Sequence, residues 1–272
     1  MILESAACKL IKTSRRIYMR IVIKIGTSTL AHASGRLNIR RTEKLCKIIS
    51  DIKNSGHEII MVSSGAIGMG IGKLGLDGKP GDMPTKQAAA AVGQCELMYI
   101  YDKQFGAYNH LVAQALITAA DIRDEERHRN FSNTLSRLLE LGVIPVINEN
   151  DTIATEEIGI GDNDTLAAIV AQSCGADLLI LLSDIDGLYT ADPTKDAGAE
   201  LIPEVHGIDD EILSLGGESG SGLGTGGMKT KLSAAQIATG AGCDMIIANG
   251  REPEILYQIV DGKKVGTRFF AK

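Results

Sequence analysis

Two lysines and a set of carboxylates stand where they could do chemistry. Lys24 ends the apolar run IVIK and is followed by Gly26, Thr27 and Ser28 after one isoleucine. An ammonium group beside a small-residue turn can meet phosphate oxygens, with backbone N–H groups binding the same anion. It can equally snorkel to solvent, and this segment alone supports both readings. Lys231 closes TGGMKTK (225–231), at the end of a Gly-rich stretch, GGESGSGLGTGG, at 216–227. The stretch is not a Walker A loop: GxxxxGK[ST] fits no register, since Lys229 follows Met228. A Gly-rich loop running into a helix nevertheless offers N–H groups and a cation to phosphates, so Thr225, Gly226, Gly227, Met228, Lys229, Thr230 and Lys231 are candidates for holding a nucleotide. A surface linker is the alternative.

Between the lysines lie the carboxylates. Asp162, Asn163 and Asp164 follow Gly159 and Gly161 and precede an apolar helical pattern. Asp164 suits a helix N-cap, yet one cap does not account for three polar groups. Two carboxylates beside two lysines can orient the ammonium groups and hold them charged. The quartet Asn148, Glu149, Asn150, Asp151 follows the buried-type run VIPVI. Polar groups there are costly unless solvated or matched by a ligand; an Asx turn is the bland alternative, and a substrate bearing an ammonium group the functional one. Ser63, Ser64 and Gly65 offer hydroxyl and N–H groups at a helix start, which suits a carboxylate or merely caps the helix. Ser183 and Asp184, with Asp186–Tyr189, suit a ribose or base edge, or form a turn.

These clusters need elements to hold them. Apolar, β-branched runs predict strands over Arg20–Ile25, Glu58–Val62, Leu111–Leu116, Val143–Ile147, Leu178–Leu182 and Met245–Ala248. Helical patterns lie near 38–55, 85–105, 127–141, 164–174, 209–215 and 229–241. Near-continuous apolar strands such as LLILL are buried on both sheet faces. Alternating strands and helices predict an α/β fold with a mostly parallel sheet and helices on both faces. Ligands in such sheets bind beyond the strands' carboxyl ends, and KIGTST, SSGAIG, NENDT and SDIDG all follow a strand at that end.

Composition narrows the classes. The 272 residues suit one large domain or two small ones, with 44% hydrophobic content for the core. Net charge is −6 with no basic stripe, which argues against nucleic acid as a partner. No run of apolar residues is long enough to span a membrane. Five scattered cysteines without a CxxC pair read as reduced thiols of a cytoplasmic protein. The histidines (His32, His57, His110, His128, His206) have no metal-ligand spacing, so no protein-held metal is expected, and neither HExxH nor GxSxG occurs. A nicotinamide dehydrogenase would need GxGxxG after the first strand, which KIGTST lacks. A nucleotide-binding regulator without turnover is a further reading, disfavoured by two lysines set beside the GDND carboxylates. Residues 1–18 read as an N-terminal extension, and a soft division near residue 175 separates a substrate half (19–175) from a nucleotide half (176–272).

Six segments, in order, resemble the amino-acid kinase family: KIGTSTL (24–30), SSGAIGMG (63–70), VIPVINENDT (143–152), GDNDTLAA (161–168), SDIDGLYTADP (183–193) and TGGMKTKLSAA (225–235). NEND followed by GDND resembles the branch that phosphorylates the γ-carboxylate of glutamate. The resemblance implies a three-layer αβα sandwich, ATP with Mg²⁺ carried on its phosphates, and transfer by positioning and charge neutralisation without a general base. It assigns Lys24 and Lys231 to the transferring phosphoryl group, Asp164 with Asp162 to orienting those lysines, and Ser64, Gly65, Asp151 and Asn163 to L-glutamate. ATP falls to Lys24, Ser183, Asp184 and the Thr225–Lys231 loop. It further implies a homo-oligomer, feedback inhibition by proline, and glutamyl phosphate reductase as the enzyme that takes the product. Many relatives carry a C-terminal PUA domain, and this chain reads as a short form without one.

Overall fold

The computed structural model of the chain describes residues 18–32, 36–154, 162–217 and 227–272. Residues 1–17 of the segment read as an N-terminal extension, the glycines preceding Asp162, and Thr225 and Gly226 lie outside the described residues.

An eight-stranded sheet runs in the order β3-β4-β2-β1-β5-β9-β10-β8. Its strands are β1 (Arg20–Ile25), β2 (Glu58–Ser63), β3 (Val112–Ile117), β4 (Ile144–Glu149), β5 (Leu178–Ser183), β8 (Glu204–Val205), β9 (Asp244–Asn249) and β10 (Thr267–Phe269). From β3 through β9 every pairing is parallel. β10 pairs antiparallel with β9 and parallel with β8, so these last two strands run opposite to the rest. A separate two-stranded ribbon joins β6 (Leu188–Tyr189) to β7 (Leu201–Ile202). The β1–β5 pairing carries one sheet across residue 175.

Ten helices occur among the described residues: α1 (Thr27–Leu30), α2 (Ile39–Asn54), α3 (Ala66–Leu74), α4 (Met83–Gly106), α5 (Ala119–Arg123), α6 (Glu125–Glu140), α7 (Asn163–Cys174), α8 (Asp210–Ser214), α9 (Met228–Gly240) and α10 (Ile255–Val260). They cover the sheet on both faces. One core joins Val22, Ile60, Val62, Leu179 and Leu181 to Leu135 of α6, Leu166 of α7 and Leu232 of α9. The other joins Ile21, Ile23, Ile59, Met61 and Ile180 to Leu45 of α2, Tyr101 of α4 and Leu256 of α10. The strands alternate between these cores because successive side chains leave a strand on opposite faces. The mostly parallel sheet with helices on both faces expected from the alternation is present, and it forms the three-layer αβα sandwich that the resemblance implies.

Several elements escaped the sequence pattern. The segment AIGMGIGKL forms α3 despite its glycines, which lower helix propensity. Packing overrides propensity there: a Cβ on Gly70 would fall 1.8 Å from the Ala89 carbonyl oxygen, and one on Gly93 would fall 1.7 Å from that of Ala66. Helices α3 and α4 therefore touch backbone to backbone, which only glycine permits. The short elements α5, β6, β7, β8, α10 and β10 span two to six residues, too few for a period to show.

Candidate active site

Parity along β1 decides where Lys24 points. Val22 enters the core under α6, α7 and α9, so Lys24, two residues on, leaves the same face at the strand's carboxyl end. There its Nζ lies 2.7 Å from Asp164 Oδ1. Lys231, in the first turn of α9, donates from Nζ to Asp164 Oδ2 at 3.0 Å. Thr230 Oγ1 lies 3.1 Å from that same Oδ2 and 2.8 Å from the Gly227 carbonyl oxygen. One carboxylate, 1% exposed, thus holds an ammonium group on each oxygen, and the lysine side chains are only 12% and 6% exposed. Burial opposes ionisation of Asp164, but the charges of Lys24 and Lys231 outweigh it and hold the carboxyl below its ordinary value. The cluster carries a net charge of plus one, at the sheet edge where ligands bind in such folds.

Asp162 caps the helix that carries Asp164. Its Oδ1 accepts from the N–H groups of Asp164 and Thr165, both at 2.8 Å, and its Oδ2 accepts from Thr165 Oγ1 at 2.9 Å. It is the N-cap of α7, and its hydrogen bonds go to the turn from which Asp164 projects. The cap expected at Asp164 falls two residues earlier.

A second group of residues meets without charge. Asn163 Nδ2 donates to Ser64 Oγ at 2.7 Å and to Asn148 Oδ1 at 3.1 Å. Asn148 Nδ2 donates in turn to Gln94 Oε1 on α4 at 3.0 Å. Asn163 belongs to the α7 layer and Gln94 to the opposite one, so this chain crosses the sheet's carboxyl edge. Gly65 follows Ser64 with φ of 105° and starts α3, a left-handed conformation that glycine adopts without penalty. Beneath it, the buried Tyr101 hydroxyl and Ser63 Oγ are 2.7 Å apart. Beside the chain is a shallow hollow, partly open to solvent, whose walls include Ala66, Gln94, Glu149 and Asp151. Burial, followed by the neighbouring Glu149 carboxylate, pushes Asp151 up to about 6.

On the other side of β1, Ser183 ends β5 opposite Asn249 of β9. Ser183 Oγ donates to Asp184 Oδ1 at 3.1 Å, and Asn249 Nδ2 donates to Asp186 Oδ1 at 2.7 Å. Met228 and Thr230 are half-buried and Lys229 is exposed. The fold thus brings Lys24, Asp164 and Lys231 into direct contact, and joins Ser64 to Asn163. Ser183 and Asp184 stand at the edge of the adjacent strand. Among the described residues no cluster of His, Cys, Asp and Glu could hold a metal ion. Sequence reasoning missed Gln94; its only signal was one polar residue in the small apolar run AAAAVGQ.

A family model described as the amino acid kinase family matches residues 19–249. A glutamate 5-kinase of Clostridium perfringens is 53% identical over 257 residues, covering 93% of this chain and 96% of that protein. A glutamate 5-kinase of Clostridium tetani is 50% identical, covering 95% and 98%. That of Caldanaerobacter subterraneus is 52% identical, covering 92% of this chain and 68% of its own length. Among solved structures, a carbamate kinase from Giardia lamblia bound to AMP-PNP superposes with a TM-score of 0.67 at 18% identity, over 93% of this chain and 99% of that one. A UMP kinase from Ureaplasma parvum gives 0.63 at 15% identity, over 93% and 99%; both likenesses concern the fold. The chain belongs to the amino acid kinase family and, within it, to the glutamate 5-kinases.

Proposed function

We propose that this chain transfers the γ-phosphoryl group of ATP to the side-chain carboxylate of L-glutamate, giving L-glutamyl 5-phosphate and ADP, the first step of proline biosynthesis. The observation that carries the reading is the Asp164 carboxylate holding Lys24 and Lys231 at 2.7 and 3.0 Å. A bond forms between a carboxylate oxygen and the γ-phosphorus, and the bond to the bridging β-phosphate oxygen breaks. A glutamate carboxylate is ionised at neutral pH, so the nucleophile needs no base and the protein supplies position and positive charge.

Lys24 and Lys231 face the phosphoryl oxygens, and Asp164 holds the two ammonium groups close together. Ser64, Gly65 and Asn163 hold the amino acid's carboxylate end, and Asp151 draws its ammonium group. Ser183, Asp184 and the segment Thr225–Lys231 hold ATP, whose phosphates carry Mg²⁺ to help neutralise their charge. The same reading divides the domain near residue 175 into an amino-acid half and a nucleotide half. It also carries a cytoplasmic location, a homo-oligomer, inhibition by proline, and glutamyl phosphate reductase as the consumer of the product.

The test is ATP-dependent acyl phosphate formation, trapped by hydroxylamine, with glutamate, N-acetylglutamate and aspartate compared. Hydroxamate from glutamate alone is the expected result. Hydroxamate only from another acid would move the substrate assignment, and none from any acid would leave a nucleotide-binding protein without turnover.

A further inference from the structure

Gln94 has no role in the reading above, yet it anchors the polar chain on which that reading's amino-acid subsite depends. Its side chain is buried at 7% exposure. Its Oε1 accepts from Asn148 Nδ2, while its Nε2 has no hydrogen-bond partner. A buried donor without a partner is destabilising, and an apolar residue of similar shape would avoid it. The position therefore favours an amide for a reason other than stability.

That reason lies in polarity. An asparagine amide offers an oxygen on one side and an NH₂ on the other, and nothing in its shape says which way it faces. Because Gln94 presents an oxygen, Asn148 turns its Nδ2 toward α4 and its Oδ1 outward. Asn148 Oδ1 then accepts from Asn163 Nδ2, which leaves Asn163 donating its other hydrogen to Ser64 Oγ. Ser64 Oγ is the acceptor in that contact, so its own hydrogen is left to donate outward, as a ligand carboxylate requires.

The stretch of α4 that carries Gln94 is packed tightly against its neighbours. Neighbouring Gly93 packs against the backbone of α3, where a Cβ would lie 1.7 Å from the Ala66 carbonyl oxygen. Seven residues on, Tyr101 on the same helix meets Ser63, so α4 supports both the serine turn and the asparagine.

We infer that Gln94 is a positioning residue for the amino-acid subsite: its amide oxygen sets the hydrogen-bond direction of the Asn148–Asn163–Ser64 chain, so that Ser64 faces the substrate carboxylate as a donor. The inference rests on the proposed glutamate kinase activity.

It is tested by steady-state kinetics of Gln94→Leu, which removes the oxygen, and Gln94→Glu, which keeps an acceptor there, with thermal unfolding measured alongside. The expected result for Gln94→Leu is a KM for glutamate raised about tenfold, the loss of one polar interaction, with the KM for ATP within about twofold. Gln94→Glu recovers most of that loss. A rise in glutamate KM below about fivefold, an equal rise in both KM values, or a Glu variant no better than Leu would overturn the inference. Should Gln94→Leu fail to fold, Gln94→Met, unbranched and more adaptable, carries the same comparison. Wild-type protein assayed in parallel separates the two ideas: absence of glutamate-dependent hydroxamate there sinks the activity itself, whereas an active wild type with indifferent Gln94 variants sinks only the positioning role.

Discussion

At the centre of the sheet, Asp164 answers two ammonium groups with one carboxylate; across β1, Ser64, Asn163, Asn148 and Gln94 meet without a formal charge among them. Both groups are assembled at the carboxyl edge from three or more elements, and both include α7. They differ in what they can tolerate. A buried ion cluster has large opposing energies, so losing one member leaves charge stranded. An amide chain is held by smaller, directional bonds, so losing one member changes direction and affinity more than fold. The first arrangement suits a reacting group whose charge changes; the second suits recognition of a substrate that stays the same.

The largest effects follow from breaking the ionic side. Lys231→Ala removes one of the two charges proposed to face the phosphoryl group, and removing one such donor typically lowers kcat by about 10²–10³. Asp164→Asn keeps the shape but strands two lysines, at a cost of about 3–5 kcal/mol in stability, as for other broken buried pairs, and it lowers kcat at least as far. Rate measurements with calorimetry check both, and Lys231→Ala with kcat near wild type would remove Lys231 from the phosphoryl site.

Asp151 lies between the two regimes, a carboxylate on the recognition side. Asp151→Asn should raise the KM for glutamate about tenfold or more, the worth of a charge-assisted hydrogen bond, while leaving ATP nearly untouched. The wild type carries a pH signature of the same group. With its carboxyl pushed up to about 6, Asp151 becomes protonated as pH falls through that value, so glutamate binding weakens below pH 6 and Asp151→Asn loses the dependence. Stability has the opposite sense. The ligand-free protein binds more protons than the unfolded chain between about pH 4 and pH 6, so this group's contribution falls as pH rises through that window. Asp151→Asn should then raise Tm at pH 7 while impairing binding, and a lowered Tm would mean that the carboxylate is paired in the folded state.

Much of this contrast was legible beforehand, and for a physical reason. Strand runs such as LLILL and the polar clusters after them report burial and the carboxyl edge directly, so Lys24, Ser64, Asn163, Asp164, Ser183 and Lys231 could be picked out. Partnerships were less legible. Nothing in GDND says that Asp162 turns back on its own helix while Asp164 crosses to Lys24 and Lys231; that depends on a left-or-right choice at one turn. Gln94 was invisible because its partner, Asn148, is 54 residues away on the other side of β3 in sequence. Helix α3 was hidden because its glycines serve contact with α4.

Lys229 tests the border of the ionic region with a smaller effect. It is exposed at the start of α9, two residues from Lys231 and outside the Asp164 cluster. Lys229→Ala should raise the KM for ATP about two- to fivefold, in the range of an exposed charge pair, with kcat retained. If Lys229→Ala abolished turnover and Lys231→Ala did not, the two lysines would have to exchange roles.

The smallest expected effect concerns Asp162, and it decides whether the ionic region has one working carboxylate or two. Asp162 spends its oxygens on Asp164 N–H, Thr165 N–H and Thr165 Oγ1, so its loss is the loss of a cap. Asp162→Ala should cost about 1 kcal/mol of stability, seen as a few degrees in Tm, with any fall in kcat tracking the looser placement of Asp164. Asp162→Asn keeps a capping oxygen and should hold stability to within about 0.5 kcal/mol, since Asn and Asp cap comparably, and activity should hold with it. An Asn variant that folds as well as wild type but turns over poorly would show that the negative charge itself matters, and would return Asp162 to the lysines.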